Sequence, residues 1–154
     1  KEKLMKNLNI FILLIVSTIS LESFSADCEQ VVEGNDALQF NTKSMTVSKA
    51  CETVTITLKH TGQLPANIMG HNWVLTTTSD FMPVAQAGGS AGLDNQYVPQ
   101  NDSRVIAYSK IIGGGESATV SFSPSQLSQD ESYTFFCSFP GHYAIMQGSL
   151  NLTD

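Results

Sequence analysis

An all-β domain, two packed sheets joined by Greek-key connections with one short helical flap, is the fold class this sequence predicts. Three observations carry it. Cys51 to Lys59 alternates, with Val54, Ile56 and Leu58 on one side and threonines on the other, the period-two pattern of a strand that buries one face. Similar short stretches recur along the chain, separated by turn signals such as Thr61-Gly62 and Gly113-Gly114-Gly115. Only Ser79 to Gln96 is rich in alanine and lacks alternation. Strands of this kind, each apolar on one face, are stable when two sheets bury those faces against each other.

The elements follow in chain order. Lys1, Lys3 and Lys6 precede an apolar run from Leu8 to Val16 and on to Ile19, and small residues stand at Ser23 and Ser25. This reads as a secretory signal peptide, with cleavage expected after Ser25 and Met5-Lys6-Asn7 as a plausible start. The apolar run is shorter than the roughly 20 residues a membrane span needs. Residues 26–154 then suit one domain with a single core. Strands are expected within Glu29–Lys59 and at Trp73–Thr77, Arg104–Lys110, Ser117–Phe122, Ser132–Cys137 and Gly148–Thr153. The helical flap is expected around Met82–Ala91, weakened by Gly88-Gly89. No internal repeat, low-complexity tract or linker interrupts the chain.

Charge narrows the partners. Eight basic residues against fourteen acidic ones give a formal net charge of −6, and removal of the leader's lysines makes the remainder more acidic still. Such a chain is repelled by nucleic acid and by anionic membrane surfaces, so neither is expected as a partner, and no membrane insertion of the mature chain is expected. A monomer that meets partners through an uncharged patch fits this balance.

Three cysteines leave one over after any single pairing. Cys28 and Cys51 flank two strand-like segments, and joining them would close a loop of 23 residues. The chain-entropy model assigns such a closure about 3 kcal/mol. Cys137 is then unpaired, in a compartment that oxidises exposed thiols. A lone cysteine is usually an inert packing residue, but this one is followed after four residues by His142 and after three more by Met146, through a loop that Pro140-Gly141 turns sharply. Thiolate, imidazole and thioether together suit copper, which is well served by two imidazoles and a thiolate in a plane with a weak thioether on the axis. The second imidazole is expected from His71, in Met69-Gly70-His71-Asn72-Trp73, just before a β-branched run. His60 adjoins the turn at Thr61-Gly62 and is expected to stand outside the ligand set, in a supporting or pH-sensitive place.

At these residues the sequence resembles the blue-copper cupredoxin family, nearly end to end beyond the leader. The matching text includes Gly34-Asn35-Asp36, Gln39-Phe40-Asn41-Thr42, Asn67 to Leu75, Asp102 to Ile106 and Phe135 to His142. The resemblance implies an equatorial plane of His71, Cys137 and His142, with Met146 and the Gly70 carbonyl as weak axial contacts to one copper. It implies a Cys28–Cys51 disulfide, a buried core Trp73, an Asn72 that stitches the His71 segment to the Cys137 loop, and amide hydrogen bonds to the Cys137 sulfur from Asn72 and Phe139. It also implies an apolar docking patch at Leu38, Leu64, Met69, Phe139, Pro140, Ala144 and Ile145. Tyr108 and Gly89 depart from the family, standing where some members carry a surface histidine and a patch methionine.

The function these readings give is a soluble periplasmic type 1 copper protein, not an enzyme. It would shuttle single electrons between redox partners, which the resemblance implies are c-type cytochromes and a periplasmic reductase or peroxidase in a Gram-negative respiratory chain. The alternative is a secreted copper-buffering or copper-delivery protein. Zinc would also suit two histidines and a thiolate.

Overall fold

The computed structural model describes residues 28–154; the leader expected over residues 1–25 and its cleavage point lie outside the described residues. The first sheet is built on the alternating segment read above. Strand β4 (Val54–His60) buries Val54, Ile56, Leu58 and His60 and turns Thr55, Thr57 and Lys59 outward. It lies parallel to β1 (Glu29–Asn35) and antiparallel to β7 (Ser117–Phe122), and the two-residue β2 (Gln39–Phe40) pairs with the end of β1. The order is β2-β1-β4-β7.

The second sheet has the order β3-β9-β8-β5-β6. It comprises β3 (Ser44–Ser48), β5 (Val74–Thr77), β6 (Ala107–Tyr108), β8 (Tyr133–Phe136) and β9 (Gln147–Thr153). The last strand is parallel to β3 and antiparallel to β8. All four residues of β8 are buried. Phe135 points into the core between the sheets, while Phe136 lies on the outer face under a helix.

That helix is α2 (Phe81–Ala91), the flap predicted around Met82–Ala91. Phe81, Val84, Ala85 and Gly88 form its buried stripe at helical spacing. Pro83 is tolerated in the first turn, where its absent N–H would have had no intrahelical acceptor. A one-turn helix, α1 (Ala66–Met69), was not legible in the sequence. The strand expected over Arg104–Lys110 shrinks to β6. Asp102 folds the preceding residues into a turn by accepting the Arg104 amide at 3.0 Å and the Arg104 Nε–H at 2.9 Å on Oδ1, while its carbonyl accepts the Val105 amide.

The core centres on Trp73, fully buried and stacked near-parallel with Phe135 and Phe122 at 5.9 and 6.1 Å. Cys28 and Cys51 are disulfide-bonded, and Cys137 is free and buried. Cys28 adjoins the start of β1, whereas Asn35 at its far end, His60 at the end of β4 and the loop after β8 gather at the opposite end of the sandwich. Among the described residues no helix is long and apolar enough to cross a membrane.

Candidate metal centre

Three segments bring donors to that end. Cys137 follows β8 directly, and its amide donates to the Met146 carbonyl at 2.9 Å, so the chain leaves and re-enters the sheet over one short loop. Within the loop the His142 carbonyl accepts from the Ile145 and Met146 amides at 3.0 and 2.8 Å. The loop can turn tightly because Gly141, at φ +82°, adopts the left-handed conformation that residues with a Cβ avoid. His71 is held by a two-way backbone bridge to Ile112, at 3.0 and 2.9 Å.

The side chains converge. Sγ of Cys137 lies 3.8 Å from Nδ1 of His71, 3.7 Å from Nδ1 of His142 and 3.8 Å from the Gly70 carbonyl oxygen. Nε2–H of His71 donates to the Asn35 carbonyl at 2.9 Å, which fixes the tautomer and leaves the Nδ1 lone pair facing the sulfur. His71, Cys137 and Met146 are fully buried, and His142 is 5 % exposed. The Met146 methyl and the His71 ring both lie against Gly34: a Cβ there would stand 3.3 Å from Cε of Met146 and 2.8 Å from Cδ2 of His71. Donor atoms of His71, Cys137 and His142 lie within 4.8 Å of one another, the one such group of three among the described residues. His60 is not in it.

The likeness extends well beyond the site. The family model for copper binding proteins, plastocyanin/azurin family, matches residues 26–153. The chain belongs to the plastocyanin/azurin family. An azurin of Bordetella pertussis is 49 % identical over 140 residues, 91 % of this chain and 93 % of that protein. An azurin of Pseudomonas denitrificans is 54 % identical over 127 residues, 82 % of this chain and 99 % of that protein. A solved azurin, Az-iso2 of the methylotroph Methylomonas sp. strain J, superposes with a TM-score of 0.81 at 46 % identity, covering 84 % of this chain and all of that one.

The donor set fits the family's copper. Soft sulfur and two neutral imidazoles in a dry pocket are the ligand types that copper selects. Burial holds His142 down to about 4, with His71 and His60 adding repulsion, and burial also lowers His71 although the Asn35 carbonyl opposes it. Both imidazoles therefore offer lone pairs at neutral pH. Burial pushes the Cys137 thiol up to about 12, while amide N–H groups of Asn72 and Phe139 pull the other way. A bare thiolate is costly here, and a bound cation would offset that cost.

Around the donors, Asn72 Oδ1 accepts the Ser138 amide at 2.8 Å and its Nδ2 donates to Ser138 Oγ at 2.8 Å, joining the His71 segment to the Cys137 loop. Phe139 packs its ring 4.5 Å from that of His142. Leu64, Pro140, Ala144 and Ile145 are exposed, and Leu38, Met69 and Phe139 are half-buried. Ile68, 58 % exposed on α1 beside Met69, was missed, since its exposure depends on a helical turn too short to leave a periodic signal. The Asn35 carbonyl was missed as well, because a backbone acceptor carries no side-chain signature.

Proposed function

We propose that this chain is a soluble periplasmic blue-copper protein that shuttles single electrons between respiratory redox partners and turns over no substrate. Residues 1–25 would be its export signal and 26–154 the copper domain. The observation that carries the reading is the buried Cys137 sulfur, set 3.8 and 3.7 Å from two imidazole Nδ1 atoms at one end of the sandwich. The azurin relatives, alike over most of their length, support it.

His71, Cys137 and His142 would hold the metal, with Met146 and the Gly70 carbonyl as weaker contacts. Copper, when bound, supplies the Cu(II)/Cu(I) one-electron couple. The protein's part is to hold those donors still. The Asn35 carbonyl orients His71, the Met146 carbonyl ties down the start of the Cys137 loop, and the Asn72 and Phe139 amides direct hydrogen bonds at the sulfur. These constraints exist in the polypeptide itself, so little has to move between oxidation states. The apolar group around His142, with Leu64, Pro140, Ala144 and Ile145 at its exposed positions, would dock partners such as c-type cytochromes and a periplasmic reductase or peroxidase through a small, rapidly released interface. A catalytic centre would need further donors, and His60 is already engaged with Met69 and Gly62.

The test is visible absorption of the mature protein on addition of Cu(II), then of ascorbate and oxygen. An intense band that bleaches and returns, absent from Cys137→Ser, is expected. Bound copper without that band would overturn the reading in favour of buffering or delivery.

A further inference from the structure

Between α2 and the strand that follows, the chain makes an unusual knuckle: Gln96 and Tyr97 are consecutive non-glycine residues at φ +60° and +52°. Two such residues in the left-handed region carry a cost that the surroundings have to offset. Backbone bonds from the Gln96 amide to Leu93 and from the Tyr97 amide to Gly92, 2.8 and 2.9 Å, help to hold it, and the side chain of Gln96 adds a longer-range tie. Its Oε1 accepts the Ile111 amide at 2.6 Å, and Ile111 is buried. Thus pinned, the Gln96 carbonyl accepts from Nδ2 of Asn72 at 2.9 Å.

The consequence lies in how Asn72 is tied. Its amide makes one bond with Oδ1 and one with each Nδ2 hydrogen: two of the three go to Ser138, which moves with Cys137, and the third goes to Gln96. Among the described residues, Gln96 is thus the anchor of the Asn72 amide outside the loop that bears the thiol. The anchorage also closes a ring. Ile111 holds Gln96, Gln96 holds Asn72, and His71, next to Asn72, is bridged to Ile112, next to Ile111. Tyr97 continues the contact by packing its ring against Phe139 at 5.1 Å, edge to face. The backbone amide of Asn72 in turn acts on the Cys137 sulfur.

We propose that Gln96 is a positioning residue for the metal centre: its side-chain bond to Ile111 sets the carbonyl that fixes Asn72, and through Asn72 it sets the hydrogen bonding of the Cys137 sulfur. The inference rests on the copper reading for its redox consequence but not for its geometry. Without the Gln96 side chain that carbonyl is less firmly placed, the Asn72–Ser138 pair gains freedom to move with the loop, the N–H bonds to sulfur slacken, and the sulfur becomes a better donor to Cu(II).

The deciding comparison is Gln96→Gly with Gln96→Glu. Glycine removes the side-chain acceptor while accepting the left-handed φ freely, so the fold is spared; glutamate restores an oxygen at the same reach. In metal-free protein, Gln96→Gly should speed hydrogen exchange of the Ser138 amide roughly tenfold while leaving Ile56 in the core of β4 unchanged, and Gln96→Glu should restore it. In copper-loaded protein, Gln96→Gly should shift the reduction potential downward. Unchanged Ser138 exchange and potential would overturn the proposal, and so would loss of protection shared equally by Ile56, which would mark general destabilisation. A wild-type protein without the blue band would sink the copper reading alone, because the exchange comparison is made without metal.

Discussion

The imidazole of His60 lies face to face with that of His71, ring centroids 4.3 Å apart and planes 14° from parallel. Nδ1 of His60 accepts the Gly62 amide at 3.0 Å, and Nε2–H donates to the Met69 carbonyl at 2.8 Å. One histidine is thus a fixed wall for another. Replacing it with leucine should keep the blue band, since His60 contributes no donor to the centre, and should lower stability by about 2 kcal/mol by leaving both backbone groups without a partner. Denaturant unfolding and a visible spectrum of His60→Leu check both halves; loss of the band would show that the wall is itself needed for the ligand geometry.

Copper uptake should release one proton per ion at pH 7. The Cys137 thiol, pushed up to about 12 by burial, is protonated without metal, whereas His142, held down to about 4, and His71, lowered by burial, are already neutral. Only the thiol has a proton to lose. Apparent affinity should therefore rise about tenfold per pH unit through neutrality, as proton-linked metal binding requires. Proton counting in weak buffer with an indicator dye gives the number directly, and a value near two would mean that one imidazole is charged in the metal-free protein.

Gly34→Ala should disturb the centre from behind. The added methyl would stand 2.8 Å from the His71 ring and 3.3 Å from the Met146 methyl, too close for either to stay in place. We expect a loss of about 1–3 kcal/mol in stability, typical of overpacking a buried site. An altered charge-transfer band or electron paramagnetic resonance spectrum should accompany it, whereas a spectrum identical to wild type would mean that the sheet yields instead of the ligands.

Removing the disulfide should have the opposite profile. Cys28 and Cys51 lie beyond the far end of β1 from Asn35, a strand of seven residues that spans roughly 20 Å. The double variant Cys28→Ser, Cys51→Ser should lose about 3 kcal/mol and keep an unchanged band. Thermal unfolding and absorption on the same sample separate the two effects.

Much of this molecule can be read from its residues alone, and the limits are instructive. The alternation from Val54 to Leu58 survives as β4 because one face meets the core and the other meets water, so sequence and burial share a period. Arg104–Lys110 looks equally strand-like, yet Asp102 captures the amide and guanidinium of Arg104 and ends the pairing, a local competition that a hydropathy pattern does not register. The cysteine, histidine and methionine of the C-terminal loop are legible because chemistry and spacing coincide. The bonds around them are mostly not: the Asn35 carbonyl accepts from His71 and the Gln96 carbonyl from Asn72, backbone atoms that every residue possesses, and only the folded geometry distinguishes them.

The strand that closes the second sheet, β9, is the last element of the chain, and it lies between β3 and β8, not at an edge. A chain that emerges from its N-terminus therefore holds β3 without its partner strand until Gln147–Thr153 follows, and contacts such as that between Ser44 and Ser149, 105 residues apart, form late. Export N-terminus first, as proposed above, would deliver Cys28 and Cys51 to the oxidising compartment well before Cys137, so the two thiols that pair would meet before the third arrives. The order of arrival would thus protect the correct pairing, and the Cys137 sulfur, which follows β8, is buried in the structure in which β9 pairs with that strand.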